Sequence, residues 1–216
     1  KEVGCTHVLL GHSERRHIFH ETDSFINAKI KAALSVNLKP IFCVGETLDN
    51  REDERTEYVI RNQLKEGLHG ISAGHIKELV IAYEPVWAIG TGKTALPEQA
   101  NEVHSFIRST ITDGYGKDIA NSVYIQYGGS VKPENAKELM AQPEIDGLLG
   151  AAGGQQCRHA GVGQRVRQID QGHGQKGHAQ QQVTQHLIQA VGRAQAHQRS
   201  EQGHQHERRR QSGPRT

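Results

Sequence analysis

Short apolar runs alternate with longer stretches of helical periodicity through residues 1–149, and this alternation restricts the fold more than any other feature. Parallel strands joined by crossover helices produce it, because strands buried on both faces read as continuous apolar runs. The pattern predicts an α/β fold. Its five predicted strands are His7 to Leu10, Pro40 to Val44, Leu79 to Tyr83, Val123 to Tyr127 and Ile145 to Leu149. Periodicity alone leaves open whether the sheet closes into a barrel or stays open.

Helices are predicted between these strands. One begins near Asp23, a candidate N-cap, and a second begins near Glu57. Pro97 and Pro133 each suit the first turn of a helix, where a missing N–H costs nothing.

The composition changes abruptly after Leu149. Residues 1–149 hold 16 Lys and Arg against 21 Asp and Glu, a net charge of −5, whereas residues 150–216 hold 10 against 3, a net charge of +7. The second segment contains no Phe, Tyr or Trp and is rich in Gln, Gly, Arg and His. Too little apolar surface is present to offset the entropy of ordering, so we predict a folded domain at 1–149 and a largely disordered tail at 150–216.

Cysteine usage and hydropathy indicate where the chain works. Cys5, Cys43 and Cys157 are odd in number and widely spaced, which favours neither a disulfide framework nor a metal site. No apolar run approaches the roughly 20 residues that span a bilayer, and no leader opens the sequence. We therefore expect a soluble, cytoplasmic protein that binds no metal and no membrane.

Glu84 follows the third predicted strand, where burial would raise its basicity and suit it to taking a proton from carbon. A rim glutamate paired with an arginine is the alternative. The stiff apolar residues Pro85, Val86 and Trp87, followed by Gly90, have the composition of a lid that excludes water.

Two further segments lie at the same predicted rim. His12 precedes a Ser-Glu-Arg-Arg run that can begin a helix, whose N-terminus would keep the imidazole neutral and able to donate; a buried structural histidine is the alternative. Gly128, Gly129 and Ser130 form a turn with exposed N–H groups that suits a phosphate dianion, although an ordinary glycine turn has the same sequence.

Three motifs resemble those of the triose-phosphate isomerases, in the same order and at comparable spacing: Gly-His-Ser-Glu-Arg-Arg, Ala-Tyr-Glu-Pro-Val-Trp-Ala-Ile-Gly-Thr-Gly-Lys and Tyr-Gly-Gly-Ser-Val. The resemblance spans residues 1–149 and implies strands four to eight of a (β/α)8 barrel. It implies an isomerase that interconverts dihydroxyacetone phosphate and glyceraldehyde 3-phosphate through an enediolate, without a cofactor.

The same resemblance implies a role for individual residues. Glu84 matches the family's general base, His12 its neutral electrophile and Glu14 a carboxylate that pairs with the catalytic lysine. Gly90 and Ser130 match backbone donors to the phosphate. The remaining matches are the lid-closure residues Pro85, Val86, Trp87 and Tyr127, the Cys43 and Glu46 pair that follows the fifth strand of the barrel, and the phosphate-binding turn that Gly153 and Gly154 would mimic.

The sequence also departs from the family's pattern. It has no counterpart of the first three strands, of their asparagine and lysine, or of the third loop through which the family forms homodimers. After Leu149 no apolar helix follows Gly153 and Gly154, and we hypothesise that residues from about 150 onward are read out of frame.

Two other functions compete with an isomerase. The basic tail could bind nucleic acid or an acidic partner on an inactive barrel remnant, but it lacks stacking aromatics, and its basic residues are scattered apart from Arg208 to Arg210. Metal binding by Cys157 with His159, or by His204 with His206, lacks the spacing of a closed site.

Overall fold

The fold is a five-stranded parallel sheet covered by helices. The computed structural model describes residues 4–89, 91 and 93–150. The strands are β1 (His7–Leu10), β2 (Lys39–Val44), β3 (Val80–Tyr83), β4 (Tyr124–Tyr127) and β5 (Gly147–Leu148), and each pairs in parallel with the next in sequence. The order never reverses, as it does at the switch point of a doubly wound sheet, so the arrangement is that of a barrel arc. The predicted α/β barrel architecture is confirmed.

The last strand is shorter than predicted. Ile145 and Asp146 precede β5, and the Asp146 carboxylate accepts hydrogen bonds from Arg108 at 2.7 Å and from the Ile125 N–H at 2.9 Å. A side chain thus binds an N–H of β4 at the point where β5 approaches it. The sequence pattern shows the apolar residues here but does not show that the Asp146 side chain accepts the Ile125 N–H in place of a backbone carbonyl.

The helices fill the connections between strands. They are α1 (Ser13–His17), α2 (Asp23–Ser35), α3 (Leu48–Glu52), α4 (Thr56–Gly67), α5 (Ala73–Ile76), α6 (Pro97–Tyr115), α7 (Lys117–Ser122) and α8 (Pro133–Met140), with a 3₁₀ turn at Val86–Ala88. Pro97 and Pro133 open their helices as predicted. Asp23 is not the N-cap of α2: Thr22 is, because its Oγ1 accepts the N–H of Phe25 at 3.3 Å.

Apolar side chains cover both faces of the sheet. The larger cluster packs the helices on one face and includes Ile30, Phe42, Ile81 and Ile107. A smaller cluster on the other face contains Ile41, Cys43, Val80, Ala82 and Leu149, with Leu9 against it. Burial on both faces explains why these strands read as unbroken apolar runs.

None of the helices in the described part of the chain is long and apolar enough to cross a membrane. The predicted tail lies outside the described residues apart from Gly150, so its predicted disorder stays a prediction.

His104 is a fully buried histidine in α6. Its Nδ1 lies 3.2 Å from the Glu144 carbonyl, and its ring meets that of Tyr83 edge to face at a centroid distance of 5.9 Å. Burial lowers the pKa of His104 from 6.5 to about 3, so the folded protein holds it neutral.

Replacing His104 with Phe should reduce the loss in the free energy of unfolding as pH falls below 7. The unfolded chain protonates this residue below its ordinary pKa of 6.5 and the folded chain does not, so folding stability is lost as pH falls from 6.5 towards about 3. The loss reaches about 1.4 kcal/mol per pH unit. Urea unfolding between pH 7 and pH 5 measures it. The exposed His69, changed to Phe, is the control; equal pH slopes in both variants would contradict the assignment.

Candidate active site

The carboxyl ends of β1, β3 and β4 meet at one pocket. Strand register aligns the end of β1 with Phe42 of β2, Val44 of β2 with Tyr83, and Tyr83 with Tyr127, so the residues that follow the strands emerge at the same edge of the sheet. The pocket has a volume of about 240 Å³. It is lined by Leu9, His12, Glu84, Ile89, Gly128, Gly129, Ser130, Val131, Leu149 and Gly150. All three rim segments singled out in the sequence therefore contribute to one cavity.

Glu84 is the buried carboxylate of this pocket, with 3% of its surface exposed. Its N–H bonds the Val44 carbonyl at 2.8 Å, which continues the sheet by one residue, and Oε2 accepts the N–H of Ser13 at 3.2 Å. Burial raises the pKa of Glu84, while His12, the Cys43 thiol, the Ser13 N–H and Arg16 partly oppose the rise. A desolvated carboxylate with few donors is a stronger base than one in water.

His12 faces Glu84 across the pocket, with Nε2 3.6 Å from Oε1. His12 is also the N-cap of α1, and its Nδ1 accepts the backbone N–H of Glu14 at 3.3 Å. An accepting nitrogen carries no proton, so the neutral ring holds its proton on Nε2, the atom turned to the pocket. One small molecule can therefore meet a proton acceptor and a proton donor at once.

Glu46 ties the lid segment to the strands. Its fully buried Oε1 accepts hydrogen bonds from the Trp87 indole at 2.8 Å, the Tyr83 hydroxyl at 3.1 Å and Arg51 at 3.1 Å. The predicted lid residues Pro85, Val86 and Trp87 form a 3₁₀ turn and its N-cap beside this carboxylate. The three donors fix the position at which the segment leaves the rim.

The glycine turn packs tightly against these groups. A Cβ added to Gly129 would lie 2.3 Å from the Tyr127 hydroxyl and 2.9 Å from Pro85 Cγ, so a larger residue would displace both predicted lid residues. Ser130 lines the pocket, while Tyr127 is fully buried behind the turn.

Some predicted site residues lie elsewhere. Glu14 is exposed and does not line the pocket. Its backbone N–H, and not its carboxylate, bonds a pocket residue, because it donates to His12 Nδ1. Gly90, Gly153 and Gly154 lie outside the described residues. Cys43 does not follow its strand but lies within β2, because the sheet pairing continues through Val44.

Sequence reasoning missed two contacts at the rim. The Gln63 side chain both accepts from and donates to the Gly45 backbone, at 2.8 and 3.0 Å, and Arg16 binds two strand-end carbonyls. A polar residue within a helix carries no signal for the first contact. For the second contact, the Ser-Glu-Arg-Arg run shows that an arginine lies near the end of β1, which indicates that it can reach strand carbonyls.

A parallel barrel arc with a pocket at the carboxyl ends of its strands places the chain in the class of (β/α)8-barrel proteins, which bind small ligands at this face. The profile of the triosephosphate isomerase family matches residues 1–159. The chain therefore belongs to the triosephosphate isomerase family.

Individual relatives agree with this assignment. Over 153 residues the chain is 59% identical to a triosephosphate isomerase of Chloroherpeton thalassium and 54% identical to one of Fusobacterium nucleatum, in each case covering 70% of this chain and 61% of the relative. Over 149 residues it is 58% identical to one of Carboxydothermus hydrogenoformans, covering 69% and 59%. The chain thus spans about three fifths of the length of these curated relatives.

Replacing Gly45 with Ala should displace Glu84. An added Cβ would lie 1.8 Å from the Glu84 carbonyl oxygen, and that oxygen belongs to the backbone, which cannot rotate away. We expect a loss of about 1–3 kcal/mol in the free energy of unfolding, the usual cost of overpacking. Urea denaturation measures it. Gly74→Ala, with no neighbouring atom closer than 4.0 Å, is the control; a Gly45 variant as stable as this control would refute the close approach.

Replacing Glu84 with Gln should stabilise the protein at neutral pH. Burial raises the pKa of Glu84 above its ordinary 4.5, so folding opposes its ionisation, and stability is lost as pH rises through the interval between the two values. A neutral amide avoids this cost. The urea midpoint of the variant should exceed that of the parent at pH 7, and the difference should vanish below pH 4. An unchanged difference across this range would show that Glu84 is not desolvated.

Proposed function

We propose that the complete protein interconverts dihydroxyacetone phosphate and glyceraldehyde 3-phosphate, with Glu84 as the base and His12 as the electrophile. The observation that carries the proposal is the 3.6 Å approach of His12 Nε2 to Glu84 Oε1 inside one small pocket. The names of the matched relatives and the family profile point to the same reaction.

Proton transfer follows from the two side chains. The Glu84 carboxylate takes a proton from the hydroxyl-bearing carbon next to the substrate carbonyl, and the electron pair of that C–H bond forms the double bond of an enediolate. His12 donates a hydrogen bond from Nε2 to the carbonyl oxygen, on which negative charge develops. Glu84 then returns the proton to the former carbonyl carbon, and the hydroxyl proton passes from the oxygen of the first carbon to that of the second, which completes the exchange of aldehyde and ketone without a cofactor.

The phosphate is held by backbone N–H groups in this proposal. The turn at Gly128, Gly129 and Ser130 lines the pocket, and N–H groups of such turns favour anions. Gly90, Gly153 and Gly154 would add donors, and Pro85 to Trp87 with Tyr127 would exclude water by closing over the substrate. Glu14 would support a lysine contributed by the part of the family's barrel that precedes the matched segment.

We further propose a cytoplasmic homodimer. Three widely spaced cysteines without a disulfide pattern fit a reducing compartment, and the homodimers that the family forms are the basis for the second copy. Binding of nucleic acid or an acidic partner by the tail has no support among the matched relatives, whose names are all those of the isomerase.

Turnover should depend on Glu84. Glu84→Gln removes the proton acceptor but keeps the side-chain shape, so the rate of isomerisation of dihydroxyacetone phosphate should fall by about 10²–10⁴-fold. A coupled enzymatic assay of the complete protein measures the rate. Addition of the same substrate should also shift the amide signals of Gly128 to Ser130 in NMR spectra. The exposed Glu66, changed to Gln, is the control.

Two results would contradict the proposal. One is turnover that survives in Glu84→Gln at the rate of the Glu66 control. The other is substrate that leaves the amides of the glycine turn unmoved.

A further inference from the structure

Arg16 joins the residue that follows β1 to a residue of β2, and both lie beside the proposed catalytic pair. From α1, its Nε donates to the Gly11 carbonyl at 2.7 Å and Nη2 donates to the Cys43 carbonyl at 3.1 Å. Nη1 donates to the Asp23 carboxylate at 2.5 Å, and 10% of the side chain is exposed. All three contacts use the planar fork of the guanidinium, which no other side chain presents.

The two carbonyls lie where the pairing of β1 with β2 stops. The last aligned pair is Leu10 with Phe42, and Gly11 and Cys43 are the next residues of each strand. Gly11 turns away with a φ of +77°, and a Cβ there would lie 3.0 Å from the Cys43 carbonyl and 3.1 Å from Arg16. The guanidinium therefore takes the place of the next ladder hydrogen bonds.

Each bridged residue adjoins one member of the pair. Gly11 directly precedes His12, and the Cys43 thiol faces Glu84. A surface ion pair with Asp23 would need only one edge of the guanidinium. Two of the three contacts instead go to backbone oxygens of different strands, so they fix the strands rather than a neighbouring side chain.

We propose that Arg16 is a positioning residue, which sets the separation of His12 and Glu84 by bridging the Gly11 and Cys43 carbonyls. The inference rests on the proposed function for its effect on catalysis, but the bridge itself is a property of the fold. The groups that face Glu84 are His12, the Ser13 N–H and Arg16 from the β1 loop and α1, and Cys43 from β2. Of these, Arg16 brings a permanent positive charge, which favours the carboxylate.

Two substitutions separate the geometry from the charge. Arg16→Lys keeps the positive charge and loses the fork, whereas Arg16→Met loses both. Arg15→Met is the matched control, because Arg15 lies on the same helix and pairs with Glu21 but bonds neither strand-end carbonyl. The complete protein is used throughout, with thermal unfolding to confirm that each variant is folded.

Three measurements are made on each variant. Isomerisation of dihydroxyacetone phosphate gives kcat and KM. ¹³C NMR of labelled glutamate, with the Glu84 signal identified by its loss in Glu84→Gln, gives the ionisation midpoint of Glu84. ¹⁵N NMR of the His12 ring shows how strongly it senses that ionisation from 3.6 Å.

We expect kcat to fall by roughly tenfold to a hundredfold in Arg16→Lys with little change in KM, because misplacement by about 1 Å has a cost of this size. The ¹⁵N response of His12 should weaken in the same variant while the Glu84 midpoint stays near that of the parent. In Arg16→Met the midpoint should rise as well. Arg15→Met should keep kcat within about twofold.

The outcomes are distinguishable. A folded Arg16→Lys chain with the parent's kcat and the parent's His12 response overturns the positioning role. A complete parent protein without turnover contradicts the proposed function alone, and the His12 response then decides whether Arg16 has the positioning role. If Arg16→Met does not fold, Arg16→Lys still decides the question.

Discussion

The burial of the Glu84 carboxylate is the constraint on which the rest of the site depends. A carboxyl group with 3% exposure is less easily ionised than one in water, and the few donors it keeps come from Ser13 and Cys43, with His12 Nε2 3.6 Å away. Fewer donors make it more basic, which proton abstraction requires, but each missing donor also makes the folded state less stable. The surrounding structure must therefore supply stability elsewhere, and the apolar clusters on both faces of the sheet do so.

The neutral imidazole depends on a similarly local arrangement. Capping α1 with His12 rather than with Ser13 turns Nδ1 towards the Glu14 N–H and leaves Nε2 for the pocket. A charged ring could not accept at Nδ1, so the cap and the tautomer support each other. The short helix α1 therefore determines which nitrogen of His12 faces the pocket.

Sequence patterns predicted the parts of the fold that depend on burial. The β1 bounds are as predicted, and Pro97 and Pro133 begin their helices, because a buried run and a missing N–H are both local facts. The errors occur where partners are distant in sequence. Nothing around Ile145 shows that Asp146 will bind β4, and nothing around Gln63 shows that it will bind Gly45. Asp23 was predicted as the N-cap of α2 because Asp is a preferred cap residue, but the adjacent Thr22, also a residue type that caps helices, takes that position.

The site also combines features that the local sequence predicts with contacts that depend on distant residues. Glu84 and His12 could be chosen from the ends of apolar runs, but their 3.6 Å approach depends on strand register, which the sequence does not state. The bridging role of Arg16 is of the same kind. Its motif marks it as notable, yet its two carbonyl partners are 5 and 27 residues away.

Charge limits what the described part of the pocket can do by itself. An ionised Glu84 and a phosphate dianion repel each other in a cavity of about 240 Å³, and repulsion grows as water is excluded. None of the described lining residues is Lys or Arg. The nearby Arg16 is already bonded to backbone carbonyls and to Asp23. Backbone N–H groups offset part of a dianion but carry only partial charges. The described residues thus bring a carboxylate and an imidazole into one pocket, and the proposed reaction also needs a cation from outside them.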